Sequence, residues 1–315
     1  MDSLDPDAAW SAPATDVLRA IERALDGDGG VLATIVSVEG NAYRRPGAKM
    51  VVSGEGEGVG SITAGCLEPE VRRIAAAVDE AGRQRLERFD LTGDGDDWGL
   101  GLGCNGVVDV LFEPLRETHA RYVDALQAGT DVLRLTVLAS DVDAVGTGES
   151  AAVPQDSPRE AVEPDWPAWV ENRLAGPVET LLEHGSSDTV TIEGEGGTVT
   201  LFVDVATAPS RLLVLGSGND VGPVTELASL VDFEVTVVSF RGGRADETAF
   251  PAADRVRSTS PAALEETLAV DEDTYAVVMT HNAVDDRLAV ESLLRTPVPY
   301  IGLMGPTERF ETILE

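Results

Sequence analysis

The feature that most constrains the fold is a glycine-rich loop enclosed between an apolar strand and a helix. Leu212–Leu215 has the composition of a short buried strand, the loop Gly216–Gly222 follows it, and a helix is expected from near Pro223. Strands and helices then alternate, with strands at Glu234–Val238, Tyr275–Thr280 and Tyr300–Leu303 and helices near 261–269 and 285–294. This alternation is typical of a parallel sheet covered on both faces. We therefore predict a Rossmann-type domain over residues 207–315.

The loop departs from the usual dinucleotide-binding pattern. Gly216, Gly218 and Gly222 are spaced G-x-G-x-x-x-G, one residue longer than that fingerprint. Asp220 adds a negative charge beside the expected phosphate, unless its carboxylate caps the helix that follows. We expect Gly216, Gly218, Asn219 and Asp220 to meet a phosphate-bearing ligand through backbone N–H groups and the helix N-terminus.

The end of the next strand weakens the case for NAD(P). An acid that binds the ribose is expected about 20 residues after the glycine loop, but Ser239 stands there. Ser239 with Arg241 and Arg244 suits a 2′-phosphate or another anion, and the alternative is that both arginines are ordinary surface residues. NAD(P) is therefore the less favoured ligand.

A histidine follows the third strand of this domain. His281 is placed at the carboxyl edge of the sheet, where ligands bind in open α/β folds. Asp286 lies one helical turn further on and is the candidate to orient it. The alternative is that His281 helps to cap the next helix. His281 and Asp286 are thus candidates for catalytic residues, but neither is assigned a catalytic role.

Residues 1–206 show an α+β pattern. The helices are expected over 15–26, 69–81, 117–127 and 169–183, and the strands at Val31–Val38, Met50–Val52, Leu86–Leu91, Val107–Phe112, Val132–Ala139, Thr189–Glu193 and Thr198–Val205. Between about 140 and 167 the pattern dissolves into Gly, Pro, Ser and acidic residues, which predicts a long or mobile surface excursion.

The charge balance excludes several classes of partner. The chain has 56 Asp+Glu against 23 Lys+Arg, a net charge of −33, and Lys49 is its only lysine. This indicates a halophilic cytoplasm, and nucleic acid is not expected as a partner because phosphate backbones need basic stripes. No apolar run has the length of a membrane span and the N-terminus has no signal pattern, so we expect a cytoplasmic protein.

Three positive charges nevertheless lie close together. Arg44, Arg45 and Lys49 fall within the segment GNAYRRPGAKM. Their retention in so acidic a chain indicates an anionic ligand, and the alternative is a turn stabilised by salt bridges.

Both cysteines lie in glycine-rich loops of this first domain. Cys66, in GSITAGCLEP, precedes a helix start that favours the thiolate and metal ligation. Cys104, in WGLGLGCNG, lies among glycines that allow close backbone approach. The alternatives are a packed cysteine for Cys66, a capping role for Glu68, and a simple turn at Cys104.

Taken in order, these motifs resemble the XdhC/CoxI family of xanthine dehydrogenase accessory factors. The matching stretches are GNAYRRPGAKMVV, GSITAGCLEPEV, WGLGLGCNGVVDVLFEPL, RLLVLGSGNDVGPVTELA, AVVMTHN and PYIGLMG. The resemblance implies a protein that binds molybdenum cofactor, presents it to a cysteine desulfurase for sulfuration, and inserts it into a xanthine-dehydrogenase-type molybdoenzyme. It also agrees with a homodimer.

The resemblance implies a set of cofactor-binding residues. They are Arg44, Arg45, Lys49, Gly65, Cys66, Glu68, Gly103, Cys104 and Asn105, with Cys66 and Cys104 as possible molybdenum contacts. Ala64, Tyr43 and Ser239 depart from the family pattern. Family members usually continue past IGLMG, so a truncated final strand–helix unit is an alternative to a complete sheet. An NAD(P)-dependent oxidoreductase and a purely structural paralogue are the competing functions.

Overall fold

The computed structural model describes residues 13–63, 65–92, 105–155, 164–194, 196–241, 247–268 and 270–314. The chain divides into two compact units, Met1–Ala208 and Pro209–Glu315, here called the N-terminal and C-terminal units.

The first sheet of the N-terminal unit is antiparallel. Its strands are β1 (Gly30–Asn41), β2 (Lys49–Ser53), β3 (Gly58–Gly60), β4 (Arg85–Asp90) and β5 (Asn105–Pro114), in the order β3-β2-β1-β5-β4. Helix α2 (Glu68–Ala81) packs Val71, Ile74 and Val78 on one face of this sheet. Helices α1 (Ala14–Asp26) and α3 (Glu117–Gln127) contribute to a second core cluster that includes Leu32 and Val51. Both faces of the sheet are therefore buried, which explains why β1 is apolar along most of its length.

The second sheet of this unit is also antiparallel. Its strands are β6 (Val132–Ser140), β7 (Ser150–Pro154), β8 (Asp188–Gly194) and β9 (Gly197–Ala206), in the order β7-β6-β9-β8, and helix α4 (Ala168–His184) covers it. The hydroxyl of Thr189 donates to the carbonyl of Val36 at 2.7 Å, which ties β8 to β1. The two sheets therefore belong to one folded unit.

The C-terminal unit is the predicted Rossmann-type domain. Its parallel strands are β10 (Arg211–Leu215), β11 (Glu234–Ser239), β12 (Arg255–Ser258), β13 (Thr274–Val278) and β14 (Tyr300–Leu303), in the order β12-β11-β10-β13-β14. The helices are α5 (Val221–Leu230), α6 (Leu264–Thr267), α7 (Ala283–Leu293) and α8 (Thr307–Leu314). Core clusters lie on both faces of the sheet. The predicted fold class is confirmed: an N-terminal α+β region precedes a parallel Rossmann-type sheet.

Several elements differ from the sequence prediction. The stretch 140–167 contains strand β7, whose residues Ala151 and Val153 are buried against β6, while residues 156–163 lie outside the described part. Strand β12 was not predicted, because only Val256 of its four residues is buried. Helix α6 covers only Leu264–Thr267, after a 3₁₀ turn at Pro261–Ala263. Short elements at the edge of a sheet are hard to predict from sequence, because a single buried residue shows no hydrophobic periodicity.

Candidate functional site

The first two motif loops and the described ends of the third lie at one end of the first sheet. Strands β1, β3 and β4 end there, and β2 and β5 begin there, as the antiparallel order requires. Each of these loops contributes one or two residues that pack against the same core cluster, namely Ala42, Ala48, Cys66 and Leu91. Three segments that are distant in sequence therefore form one surface, here called the motif end. Gly103 and Cys104 lie outside the described residues.

The loop that carries Cys66 is held by one buried carboxylate. Glu68 accepts from the Thr63 N–H at 3.0 Å, from the Thr63 hydroxyl at 2.8 Å and from the Leu67 N–H at 3.1 Å. The Ser61 hydroxyl lies 3.3 Å from the same carboxylate. Burial raises the pKa of Glu68, but these hydrogen bonds outweigh it and hold the pKa below its ordinary value. Glu68 is thus committed to shaping the loop and is not free to bind a cofactor.

Cys66 is a free, half-buried cysteine at the start of α2. Its neighbour Gly65 is exposed with φ of 105°, a conformation that favours glycine. The Cys66 side chain packs against the core cluster without being sealed by it. The thiol is therefore held in place and remains reachable from the motif end.

Lys49 does not join the two arginines as predicted. Its Nζ lies 2.8 and 2.9 Å from the two carboxylate oxygens of Asp204 and 3.0 Å from the carbonyl of Gly47. Burial lowers the pKa of Lys49, but the attraction of Asp204 outweighs it and the net pKa is raised. All three ammonium donors are thus used inside the fold, which corrects the prediction that Lys49 binds an anionic ligand.

The positive charges of Arg44 and Arg45 are not neutralised by any described acidic residue. They lie in the loop between β1 and β2, with Arg45 exposed and Arg44 half-buried. Neither makes an ion pair with any residue in the described part of the chain. Asn105 begins β5 opposite Asn41, the last residue of β1, so its backbone lies at the base of this loop.

The glycine loop of the C-terminal unit lies beside His281. The His281 Nε2 is 2.7 Å from Asp220 Oδ2, and because a carboxylate only accepts, Nε2 carries the proton. A Cβ at Gly218 would lie 2.5 Å from Asp220 Oδ1, so a side chain there would displace the Asp220 carboxylate from its present position. Asp220 stands at the N-cap of α5 but makes no side-chain hydrogen bond there, so its carboxylate does not take the alternative capping role. Its charge is instead directed at His281.

The predicted pairing of His281 with Asp286 is also wrong. Asp286 is fully buried, accepts from the Thr280 N–H and hydroxyl, and pairs with Arg309 at 3.1 Å. It therefore connects β13, α7 and α8. His281 itself adopts φ of 59°, a strained value for a residue with a side chain. Asn282, not His281, caps α7.

Ser239, where a ribose-binding acid was expected, is buried and closes a turn. Its hydroxyl donates to the Arg241 carbonyl at 3.0 Å and accepts from the Arg241 N–H at 3.2 Å. The Arg241 guanidinium lies 3.6 Å from Asp285, and Arg244 lies outside the described residues. The Ser239 hydroxyl thus uses its single donor within this turn and, unlike a carboxylate, has no second oxygen to offer a ribose.

Two family models match the chain at the two regions just described. The XdhC and CoxI family model matches residues 24–90 and the XdhC Rossmann domain model matches residues 212–315. The chain belongs to the XdhC and CoxI family. The first match includes the loops of Arg44 and Cys66, and the second includes the glycine loop and His281.

Individual relatives agree with this assignment. A Bacillus subtilis (strain 168) protein described as a probable xanthine dehydrogenase subunit is 27% identical over 291 residues, which cover 92% of this chain and 83% of that protein. The molybdenum cofactor insertion chaperone PaoD of Escherichia coli (strain K12) is 34% identical over 125 residues, 36% of this chain and 38% of its own. A solved structure described as a xanthine dehydrogenase from Bacillus halodurans aligns with a TM-score of 0.69 and 29% identity, over 94% of this chain and 84% of that one.

Two kinds of feature are absent from the described residues. In that part of the chain, no helix is both long and apolar enough to cross a membrane. Nor does it contain three or more His, Cys, Asp or Glu side chains grouped as a metal site.

Proposed function

We propose that this protein binds molybdenum cofactor at the motif end and delivers it to a xanthine-dehydrogenase-type molybdoenzyme. The observation that carries the proposal is the placement of Cys66 on the same surface as Arg44 and Arg45, in a chain related to a cofactor insertion chaperone. Sulfuration with a cysteine desulfurase as partner belongs to the same proposal, as does a homodimer that presents the cofactor to successive partners.

The residues present fit the chemistry of this cofactor. Molybdopterin brings a phosphate and a metal that accepts soft ligands, and thiolate is a soft ligand. Arg44 and Arg45 supply two guanidinium groups that no described carboxylate neutralises, and guanidinium binds phosphate through paired donors. Cys66 supplies a thiol held by the loop that Glu68 closes. Cys104 is the second candidate because its motif leads into β5, which begins at the same end.

The test is retention of the cofactor by the purified chain. Molybdenum cofactor released anaerobically from a molybdoenzyme is added, the protein is desalted, and bound molybdenum and pterin are measured. We expect Cys66→Ala and the double variant Arg44→Ala/Arg45→Ala each to lower retention. Arg173→Ala is the matched control, because Arg173 is exposed on α4, which packs on the second sheet. Equal retention in the wild type and all variants would remove the proposal.

The competing function is an NAD(P)-dependent oxidoreductase that uses the C-terminal unit. His281, positioned by Asp220 beside the glycine loop, is the observation that favours it. Titration with NADH and NADPH separates the two proposals. Tight nicotinamide binding together with failure to retain molybdopterin would select the oxidoreductase.

A further inference from the structure

A cavity lies at the opposite end of the first sheet from the motif end. Strand β5 runs from Asn105 at the motif end to Pro114 at the cavity, a length of about 30 Å at ~3.3 Å per residue. The cavity has a volume of about 630 Å³, within the range of small-molecule sites. The lining includes Arg83, Gln84, Glu113, Arg116, Thr118 and Arg134. It is therefore a separate candidate site in the N-terminal unit.

The inner part of the cavity is a buried ion pair. Arg134 donates two hydrogen bonds to Glu113, at 2.9 and 2.8 Å, and both residues are 4% exposed. His119 Nδ1 accepts from the Arg116 N–H at 3.1 Å, and its Nε2 lies 3.3 Å from Arg134 Nη2 and 4.0 Å from Glu113 Oε2, so the ring packs against this pair. A buried ion pair rarely stabilises a fold more than apolar residues of the same size. The pair leaves the inner wall polar but without excess charge.

The outer part of the cavity has an excess of positive charge. Arg116 and Arg83 are both exposed, and Arg116 donates to the carbonyl of Gly82 at 2.8 Å, which fixes its guanidinium next to Arg83. Arg83 makes no ion pair with a described residue. Among the described residues of the outer wall the acid is Glu149, which accepts a hydrogen bond from Trp166 Nε1 at 2.8 Å. The described residues of the outer wall thus carry two cations against one anion, on a chain whose net charge is −33.

We propose that this cavity binds a small polar organic anion, with its phosphate or carboxylate against Arg83 and Arg116. Hydroxyl groups of the ligand would exchange hydrogen bonds with the exposed Thr118 hydroxyl and donate to the side-chain oxygen of Gln84, whose amide nitrogen donates to the Val137 carbonyl at 3.2 Å. An apolar ligand would leave these groups unsatisfied, and a cation would meet two guanidinium groups. The proposal is independent of molybdenum cofactor binding, since none of its residues lies at the motif end.

Trp166 provides a local signal for the test. The protein is labelled with 5-fluorotryptophan, the ¹⁹F resonance of Trp166 is identified with Trp166→Phe, and the probes are glycerol 3-phosphate, citrate and uncharged glycerol. We expect saturable shifts with at least one of the two anions and none with glycerol. Salt is kept as low as folding permits, because screening weakens exposed ion pairs. The anion that binds tells whether phosphate or carboxylate is preferred.

The variants are Arg83→Gln and Arg116→Gln, with Arg173→Gln as the control. Each cavity variant should weaken binding about tenfold, the effect of losing one charge-assisted hydrogen bond, while the control is unchanged. Arg116 also precedes α3, so Arg116→Gln could disturb the fold. If circular dichroism shows that Arg116→Gln is misfolded, the binding affinity of Arg83→Gln is the test of the proposal. The proposal is overturned if Trp166 does not respond to either anion up to about 10 mM, an affinity too weak for a specific site, or if Arg83→Gln binds as the wild type does.

Discussion

Replacement of Glu68 by glutamine tests whether one carboxylate holds the Cys66 loop. The wild-type carboxylate accepts from Thr63 and Leu67 through both of its oxygens. Glutamine has nearly the same shape, but one oxygen becomes an NH₂ group that points at donors. At most one of the two sets of hydrogen bonds survives, and the other donors are left buried and unpaired.

The expected loss can be estimated from these bonds. A hydrogen bond to a charged group contributes about 1.5–3 kcal/mol, and Glu68→Gln removes one or two of them. We therefore expect a loss of about 2–4 kcal/mol in the free energy of unfolding. For a unit of this size this corresponds to a decrease in Tm of roughly 5–15 °C. The matched control is Glu70→Gln, which breaks an exposed ion pair with Arg73 on the same helix and should cost no more than about 1 kcal/mol.

The pH dependence supplies an independent check. The pKa of Glu68 is lower in the folded protein than its ordinary value of 4.5, so protons bind more readily to the unfolded chain. Its stabilising contribution is complete above pH 4.5 and is lost as the pH falls through the lowered folded value. The difference between wild type and Glu68→Gln, measured by urea unfolding, should shrink across that acid range.

Thiol reactivity connects this prediction to function. In a Cys104→Ser background, Cys66 should react faster with a thiol reagent in Glu68→Gln than in Glu70→Gln, because the loop that holds it is loosened. Equal losses of stability in the two variants, or a difference that does not change with pH, would refute the assignment of Glu68 as the residue that holds the loop.

Three further outcomes are expected. Arg134→Met should lower stability by about 3–5 kcal/mol because it leaves Glu113 buried without its partner, and Arg134→Met/Glu113→Leu should recover most of this in thermal unfolding. Gly185→Ala should lower the unfolding free energy by about 1 kcal/mol, because Gly185 ends α4 with φ of 56°, which glycine adopts without strain and alanine does not; an unchanged or raised stability in urea unfolding would contradict this. Increasing KCl should raise Tm, because salt screens the repulsion within a chain of net charge −33; a Tm independent of salt would remove the halophilic interpretation.

The fold could be predicted to a large extent because its central elements are long and apolar. Strand β1 has a continuous run of buried residues from Gly30 to Val36, and β10 is buried over four consecutive positions. Such runs, flanked by glycine, identify strands without knowledge of their partners. Strand β12 has one buried residue between exposed arginines, and its identity depends on pairing with β11. That pairing is a tertiary contact, which the local sequence pattern does not reveal.

The partners of charged side chains were the least predictable part of the site. Asp204, which neutralises Lys49, is 155 residues away in the sequence, and Asp220, which contacts His281, is 61 residues away. The sequence prediction chose Asp286 for His281 because it is close along the chain. Proximity in sequence favours such a choice, but the carboxyl edge of a parallel sheet brings the ends of β10 and β13 together.

The corrections sharpen the candidate site rather than weaken it. Lys49 and Glu68 were proposed as ligands, but each makes its contacts inside the fold. Lys49 pairs with Asp204, and Glu68 accepts the hydrogen bonds that hold the Cys66 loop. Arg44 and Arg45 remain without a described partner in a chain that has 56 acidic residues to offer. Two adjacent guanidinium groups repel each other, and no described contact of the fold compensates for that. A ligand with negative charge would compensate for it, and the half-buried thiol of Cys66 on the same surface is the group such a ligand would reach.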